Sequence, residues 1–532
     1  MIAPAKAAAR IATLLVALSG PFLGGSGPLL ARQAASPPQP PPPAEAAPVP
    51  AARATGGAAA PSGAAAAAPA ESFVPPAGER LVAAQVDGAR MAKAVRDLVS
   101  LGPRMGGTPS GENAAAYLAA AFTSAGLATR QIDDPPHLAH WEDAWSVQLA
   151  AGGALASAYP YGFSPTTGPA SAPLVVLSGD AVAAAKAPHP AWEGKVLVVP
   201  GDVLGAYRQI ATAPGMPLAI LTSAPGDGKR YLDAARLAEL PAMPAGGTRP
   251  IPVFGVSFAD GRRLAAAAGQ TVRIELRSTV REGRPRTILA TLPGRDPERY
   301  YLVCAHGDSD SGGPGADDNG SGEAVVLELA RVLAALVHEG KLPVPRVGLR
   351  FAVWGSEYAS SEGYVAREGN HLRDCQGVIN LDEVGTGAER DAIYFESNEV
   401  PWNRDLLRAF DEVGRDYLGR PGFWPEYTTN PSQGGTDSYA FLPKRFQGVM
   451  AGDLQIPATT VYTAAWDRLG HVKQTPGWET TGTGDPVNLA IDYSRYYHSS
   501  GDTPENTTDR KPEAMVRAAR AIAIALLRLT FL

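Results

Sequence analysis

Three short apolar runs each lead into a residue able to hold a metal or a proton, and no other feature limits so sharply what this chain can fold into. Residues 300–305 (YYLVCA) lead into His306, residues 347–353 (VGLRFAV) run through Trp354-Gly355-Ser356 into Glu357, and residues 377–381 (GVINL) run into Asp382 and Glu383. Short, continuously apolar runs are the pattern of strands buried on both faces. Between the first two, Val326, Leu329, Ala330, Leu333 and Val337 recur at three- and four-residue spacing, the stripe of a helix, with Ser321 placed to cap its start. Strand, crossover helix and strand predict an α/β fold with a parallel sheet and helices on both faces. In such a sheet the carboxyl ends of the strands share one edge, where ligands sit.

A chain of 532 residues exceeds the usual size of a single domain. Residues 90–99 and 111–125 read as helices around the turn-rich 102–107, and helices over 405–417 and 512–531 would complete the layers. The last contains Arg517, Arg520 and Arg528, so it reads as a docked terminal helix rather than a membrane span. Between 142 and 282 the character changes. Short strands at 195–199, 218–222 and 272–276 alternate with Gly and Pro turns, and no ordered cluster of ligand residues appears. This predicts an inserted β-rich domain over 142–282, dividing one catalytic unit into 77–141 and 283–532.

Ahead of these, Lys6 and Arg10 precede the apolar 11–23, a stretch as long as a signal-peptide core and too short for a comfortable span. The expectation is export, periplasmic or secreted, with a leader over 1–35. Residues 36–76 are almost wholly Pro, Ala, Gly and Ser, which cannot bury enough apolar surface to offset their ordering entropy and so predict a disordered linker. With 45% hydrophobic residues, 19% charged and a net charge of −6, the chain is globular, and the charge argues against a generic nucleic-acid or anionic-membrane binder. Cys304 and Cys375 are the only cysteines, too few for a cysteine-rich zinc site, and they read either as a bonded pair or as buried free thiols.

The chain has 8 histidines, and His137, His140, His189, His338, His371 and His471 read as solvated or core side chains without an ordered acidic neighbourhood. His306 differs, because it begins His306-Gly307-Asp308 at a strand end, with Asp308 spaced to hydrogen-bond the second ring nitrogen. The turn Gly315-Ala316-Asp317-Asp318-Asn319-Gly320-Ser321-Gly322 then delivers carboxylates at the mouth of the next helix, although alone it also reads as an ordinary capped turn.

The order His306-x-Asp308, Gly-Ala-Asp-Asp-Asn-Gly-Ser-Gly, Trp-Gly-Ser-Glu357, Asn380-Leu-Asp382, Gly435-Thr436-Asp437 and Tyr497-His498-Ser-Ser-Gly-Asp-Thr-Pro-Glu-Asn resembles the M28 family of zinc peptidases. The resemblance runs essentially from Val82 to the C-terminus and includes Leu-Gly-Pro-Arg-Met-Gly-Gly-Thr-Pro at 101–109. The inserted region resembles a protease-associated domain, notably at 194–202 and 251–256. What this implies is a three-layer α/β/α zinc-exopeptidase-like domain with a mostly parallel central sheet, holding two zinc ions bridged by Asp318. His306 and Asp382 would complete one zinc site and His498 would bind the other, with Asp317 a neighbour. Glu357 matches the general base, Asp308 the carboxylate behind His306, and Tyr497 a phenol that stabilises the oxyanion. The family usually has two consecutive glutamates here, base then ligand, whereas this chain reads Glu357-Tyr358, leaving the His498 position one carboxylate short and its zinc weak or absent. Glu383 or Glu362 are the candidate substitutes. The implied activity is hydrolysis of terminal peptide bonds in a peptide or small amide substrate, by an aminopeptidase rather than a carboxypeptidase on family frequency. No nucleic-acid partner and no membrane span in the mature protein are expected. The alternatives on the same fold are a non-catalytic receptor-like binding protein and a glutaminyl cyclase, whose single-zinc site would need the ligand that Tyr358 replaces.

Overall fold

The computed structural model describes residues 73–531 except 178–189, 202, 213–214, 224–230, 242–249, 387–391, 399–403, 432–435, 442–455 and 464–495. All of these described residues fall in the unit Pro40–Leu532. The expected leader, and the linker up to residue 72, lie outside the described residues.

The strand Asp296–His306 lies between Val347–Trp354 and Cys375–Leu381 and pairs parallel with both. Ala458–Tyr462 continues the parallel run beyond Cys375–Leu381. Arg286–Leu292 and Ala128–Asp133 extend one side antiparallel, and Ile393–Asn398 with Tyr427–Pro431 extend the other, making eight strands. The parallel centre follows from sequence, while the antiparallel pairings of the flanks do not. In register, His306 faces Trp354 and Cys304 faces Asn380, so the exits toward His306, Glu357 and Asp382 do share one edge.

Side chains alternate along these strands, and each face finds its own cover. Tyr301, Val303 and Ala305 join Leu349, Phe351, Val353 and Ile379 in a core closed by the helices Gly322–His338 and Glu513–Leu526. Tyr300, Leu302 and Cys304 join Ala352, Trp354 and Val378 in a second core closed by Tyr364 and Val365 of the helix Glu357–Glu368. Each valine, leucine, isoleucine or phenylalanine among them contributes about 1.5–3 kcal/mol on burial. Cys304 and Cys375 are buried free thiols within this layer.

Asp87 caps the helix Gly88–Ser100 by accepting from the Ala89 and Arg90 amides, and Thr108 caps Pro109–Ser124. A further helix, Ala77–Gln85, was not expected. Its Glu79 is buried and accepts both Arg528 Nε and a second guanidinium nitrogen at 2.8 and 3.0 Å, plus the Tyr417 hydroxyl at 2.8 Å, so the arginine-bearing C-terminal helix is docked as expected. Among the described residues no helix is long and apolar enough to cross a membrane. Ser321 does not cap by its side chain; its hydroxyl donates to the Asp317 carbonyl and accepts from the Val384 amide, because the preceding turn is wider than an α-turn.

A second eight-stranded sheet uses only residues between His137 and Gly283. His137–Leu149 runs antiparallel to Thr271–Gly283, and Thr167–Val176, Val196–Pro200, Ala219–Ser223 and Val253–Val256 pair parallel in succession. It has its own cores, with Val196 and Val198 in one and Leu197 and Val199 in the other. The helices Leu204–Thr212 and Phe258–Ala266 interrupt what composition suggested was strand and turn alone.

Arg104, from the turn-rich 102–107, fastens the ligand-bearing edge from beneath. It is 1% exposed; its Nε lies 3.1 Å from Glu323 Oε2, and its terminal nitrogens donate to the Pro314 and Gly315 carbonyls at 3.0 and 2.7 Å. Removing one member of a buried, hydrogen-bonded ion pair strands the other, at about 3–5 kcal/mol. Arg104→Met is expected to lower the unfolding free energy measured by urea titration by that amount, and adding Glu323→Gln to cost less than the two single losses together; an additive double variant would contradict the coupling.

Candidate metal centre

His306 is the last residue of its strand and is 5% exposed. Its Nδ1 is 3.0 Å from the Asp308 carbonyl and 3.2 Å from Asp308 Oδ1, the contact expected from the His-x-Asp spacing. Nδ1 therefore donates, and Nε2 is turned outward. Nε2 lies 3.2 Å from Asp318 Oδ1 and 3.5 Å from Asp382 Oδ1. One nitrogen cannot satisfy two carboxylates, and Asp382 Oδ1 is buried without a hydrogen-bond partner.

Among the described residues, His306, Asp318 and Asp382 are the one set whose ligand atoms lie within 4.8 Å of one another. Tetrahedral zinc with bonds of about 2.0–2.1 Å sets its ligands about 3.4 Å apart. The 3.2 and 3.5 Å separations fit that edge, and an imidazole with two carboxylates is a zinc donor set. Electrostatics agree. Burial works against a charged His306, but Asp308, Asp318 and Asp382 hold its pKa well above the ordinary value, so the carboxylates already favour a cation there.

The other oxygen of Asp318 serves His498, whose Nε2 is 3.1 Å from Oδ2. Burial pushes the Asp318 carboxyl up, yet hydrogen bonds from His306 and His498 outweigh it and hold it below the usual range. His498 sits at φ 48° with the Tyr497 ring stacked on its imidazole at 3.6 Å. The resemblance implied Asp318 as a residue shared by two metal positions, and in the structure it contacts both His306 and His498, while Tyr497 is seen first as a packing partner of His498.

Asp317 turns the other way. Its carboxylate accepts from the Gly385 and Thr386 amides at 2.8 and 3.0 Å and from the Thr386 hydroxyl. Any side chain at Gly385 would collide with this arrangement, since an added Cβ would lie 2.5 Å from Thr508 and 2.7 Å from Ser321. Asp502 completes the turn, its two oxygens accepting the Asp317 and Asp318 amides at 2.9 and 3.0 Å. Burial pushes the Asp317 and Asp502 carboxyls up, and the charge of Asp317 pushes Asp502 further.

Glu357 opens the helix that follows its strand, at the same edge. Burial of its carboxyl is the main cause of a pKa well above the usual range; His306 opposes it, and Asp382, Asp308 and Asp437 reinforce it. A carboxyl whose hold on a proton is strengthened in this way is suited to taking one up and passing it on. Tyr358 packs edge-on to Tyr439 at 5.9 Å, and burial, then Glu357, keeps its phenol neutral.

Sequence reasoning gave no role to Arg104, Asp502 or Asp437. Asp437 is fully buried, accepts from the Thr436 hydroxyl at 2.7 Å, and has its pKa pushed up to about 7, first by burial, with His306 opposing and Asp382 reinforcing. Its place in Gly435-Thr436-Asp437, and that of Asp502 four residues after His498, were the available signals. His140, read as an isolated histidine, has Glu142 and Glu239 against its two ring nitrogens. The second of these contacts spans too much sequence to be seen from spacing.

The chain is 24% identical over 373 residues to leucine aminopeptidase 2 of Trichophyton equinum, covering 67% of each. It is 30% identical over 247 residues to leupeptin-inactivating enzyme 1 of Streptomyces exfoliatus, covering 45% of this chain and 47% of that one. The fold is that of a solved zinc aminopeptidase from Bacillus subtilis, at TM-score 0.54 and 20% identity over 84% of this chain and 95% of the other. Residues 287–523, which contain every candidate ligand, match the model of Peptidase family M28.

Proposed function

We propose that this chain is a zinc-dependent exopeptidase that removes residues from the amino terminus of peptides. The observation that carries the reading is the His306, Asp318 and Asp382 cluster at tetrahedral spacing, with the second Asp318 oxygen on His498 and Glu357 on the same edge. His306, Asp318 and Asp382 would hold one zinc, and Asp318 with His498 a second. When bound, zinc supplies the Lewis acidity that activates water and the scissile carbonyl.

The chain's own groups do the rest. Asp308 holds His306 with Nε2 facing the cluster. Glu357 takes the proton of the attacking water and returns it to the leaving amine, which its raised pKa favours. Tyr497, set against His498, donates its hydroxyl to the oxyanion. The name of the relative from Trichophyton equinum, leucine aminopeptidase 2, favours the amino terminus over the carboxyl terminus. We further propose export, on the leader at 1–35, and division into 77–141 and 283–532 around a protease-associated-like insert at 142–282. The support for that division is a sheet built wholly from residues 137–283.

Free-amine leucyl and alanyl chromogenic substrates should be hydrolysed and their N-acetylated forms spared, with chelator abolishing turnover and zinc restoring it. Turnover of only the acetylated forms, or turnover indifferent to chelator, would overturn the reading.

Glu357→Gln should keep its zinc and its fold while kcat falls about a hundredfold or more, whereas His306→Ala should lose metal. A Glu357→Gln protein with full activity would remove Glu357 from the mechanism.

A buried neutral phenol is a poor zinc ligand, so Tyr358 leaves the His498 position one donor short. Graded chelation should strip one ion well before the other, and Tyr358→Glu should tighten the weaker one. Two equally tight ions in the unmodified protein would point to a substitute ligand.

A further inference from the structure

His140 lies in the second sheet, 1% exposed, with Nδ1 3.0 Å from Glu142 Oε1 and Nε2 3.3 Å from Glu239 Oε1. Carboxylates only accept, so both ring nitrogens donate and the ring is an imidazolium clamped between two anions. Burial alone would lower its pKa, but Glu142 and Glu239 hold it up at about 9. The ring has no room to swing. An added Cβ at Gly162 would lie 2.5 Å from Nε2, and the Phe163 ring packs at 4.5 Å.

The clamp joins two pieces of chain that lead to the metal centre. On one side is Asp310–Gly312, the turn just after His306-Gly307-Asp308: a Cβ at Gly312 would lie 3.4 Å from Glu142 Oε2 and 3.5 Å from His140 Cε1, and the Tyr159 hydroxyl donates to the Gly312 carbonyl at 2.8 Å. On the other is residues 231–240, which carries Glu239 and pairs with the His498 loop. The Leu237 amide donates to the His498 carbonyl at 2.9 Å, and Arg236 bridges Ser499 antiparallel. The Ser500 amide donates to the Ala235 carbonyl at 2.9 Å, the Ala235 amide donates to Ser500 Oγ at 3.0 Å, and the Tyr496 hydroxyl donates to Asp233 at 3.3 Å. This pairing holds His498 at a positive φ that L residues rarely adopt.

We propose that residues 231–240 are a built-in support for His498, and that His140, clamped by Glu142 and Glu239, is the positioning residue that registers this support against the turn following His306. The inference rests on the reading of His498 as a metal ligand. None of these groups needs to touch substrate; the second sheet supplies the geometry of one ligand while the first supplies the others. Partners that orient a metal ligand typically matter by about tenfold to a hundredfold in activity or metal affinity.

The test compares His140→Gln and Glu239→Gln with the unmodified, zinc-loaded full chain, by amide hydrogen exchange and by steady-state kinetics. Glu239 has a side chain one-third exposed, so its substitution keeps the test decisive should His140→Gln fail to fold. The expected result is exchange about tenfold faster in 233–240 and 496–501 with 300–305 unchanged, and kcat lower by about tenfold with KM within about twofold. Unchanged exchange in those two segments, exchange accelerated evenly across the chain, or faster local exchange with unchanged kcat would each overturn the proposal. Failure of the unmodified protein to hydrolyse any peptide would instead overturn the peptidase reading, and the exchange comparison would still decide whether the clamp holds the His498 loop.

Discussion

A single carboxylate, Asp318, stands between two histidines, and much of the surrounding structure serves to keep it there. Its oxygens lie 3.2 Å from His306 Nε2, at a strand end, and 3.1 Å from His498 Nε2, on a loop from a distant part of the chain. Asp382, Glu357 and Asp437 are gathered on the same edge, where like charges repel by several kcal/mol at separations of about 4 Å and intermediate dielectric. Such a cluster is tolerable when protons are taken up, the direction in which burial pushes Glu357 and Asp437, or when a divalent cation is bound. The backbone beneath Asp318 is fixed from both sides, by the Asp502 carboxylate on its amides and by Arg104 on the carbonyls of Pro314 and Gly315. The charge is thus held by groups that do not themselves face the cluster.

What could be read in the sequence follows the range of the interactions. The parallel centre of the first sheet was legible because Tyr300 to Ala305 and its two partners are apolar on both faces, and because a strand end dictates where His306 and Asp382 emerge. The contact of Asp308 with His306 was legible for the same reason, since two residues of spacing set it. Asp318 and His498 lie on turns, where periodicity says nothing, and they came only through resemblance to a family. Arg104, Asp502 and the His140 clamp act across long stretches of chain, so no local pattern marks them. Ser321 was misread because a capping serine assumes an ordinary α-helical first turn, and the turn at Ala316–Ser321 is wider.

The second sheet changes how the active edge should be regarded. Its strands have their own alternating cores, which include no side chain from the first sheet. Its residues nevertheless reach the centre through backbone pairing at Ala235 and Leu237, opposite Ser500 and His498. This links the departure at Tyr358 to the rest of the structure: the proposed metal position that lost a carboxylate is also the one whose remaining histidine is paired with residues 235–237. Weak metal affinity there and dependence on a second sheet for geometry would then be two aspects of one site.

Anomalous diffraction at the zinc edge from zinc-loaded crystals tests the central claim most directly. The account predicts a strong peak about 2.0–2.2 Å from His306 Nε2, Asp318 and Asp382, and a weaker one between Asp318 and His498. A map with no peak against His306 would contradict it.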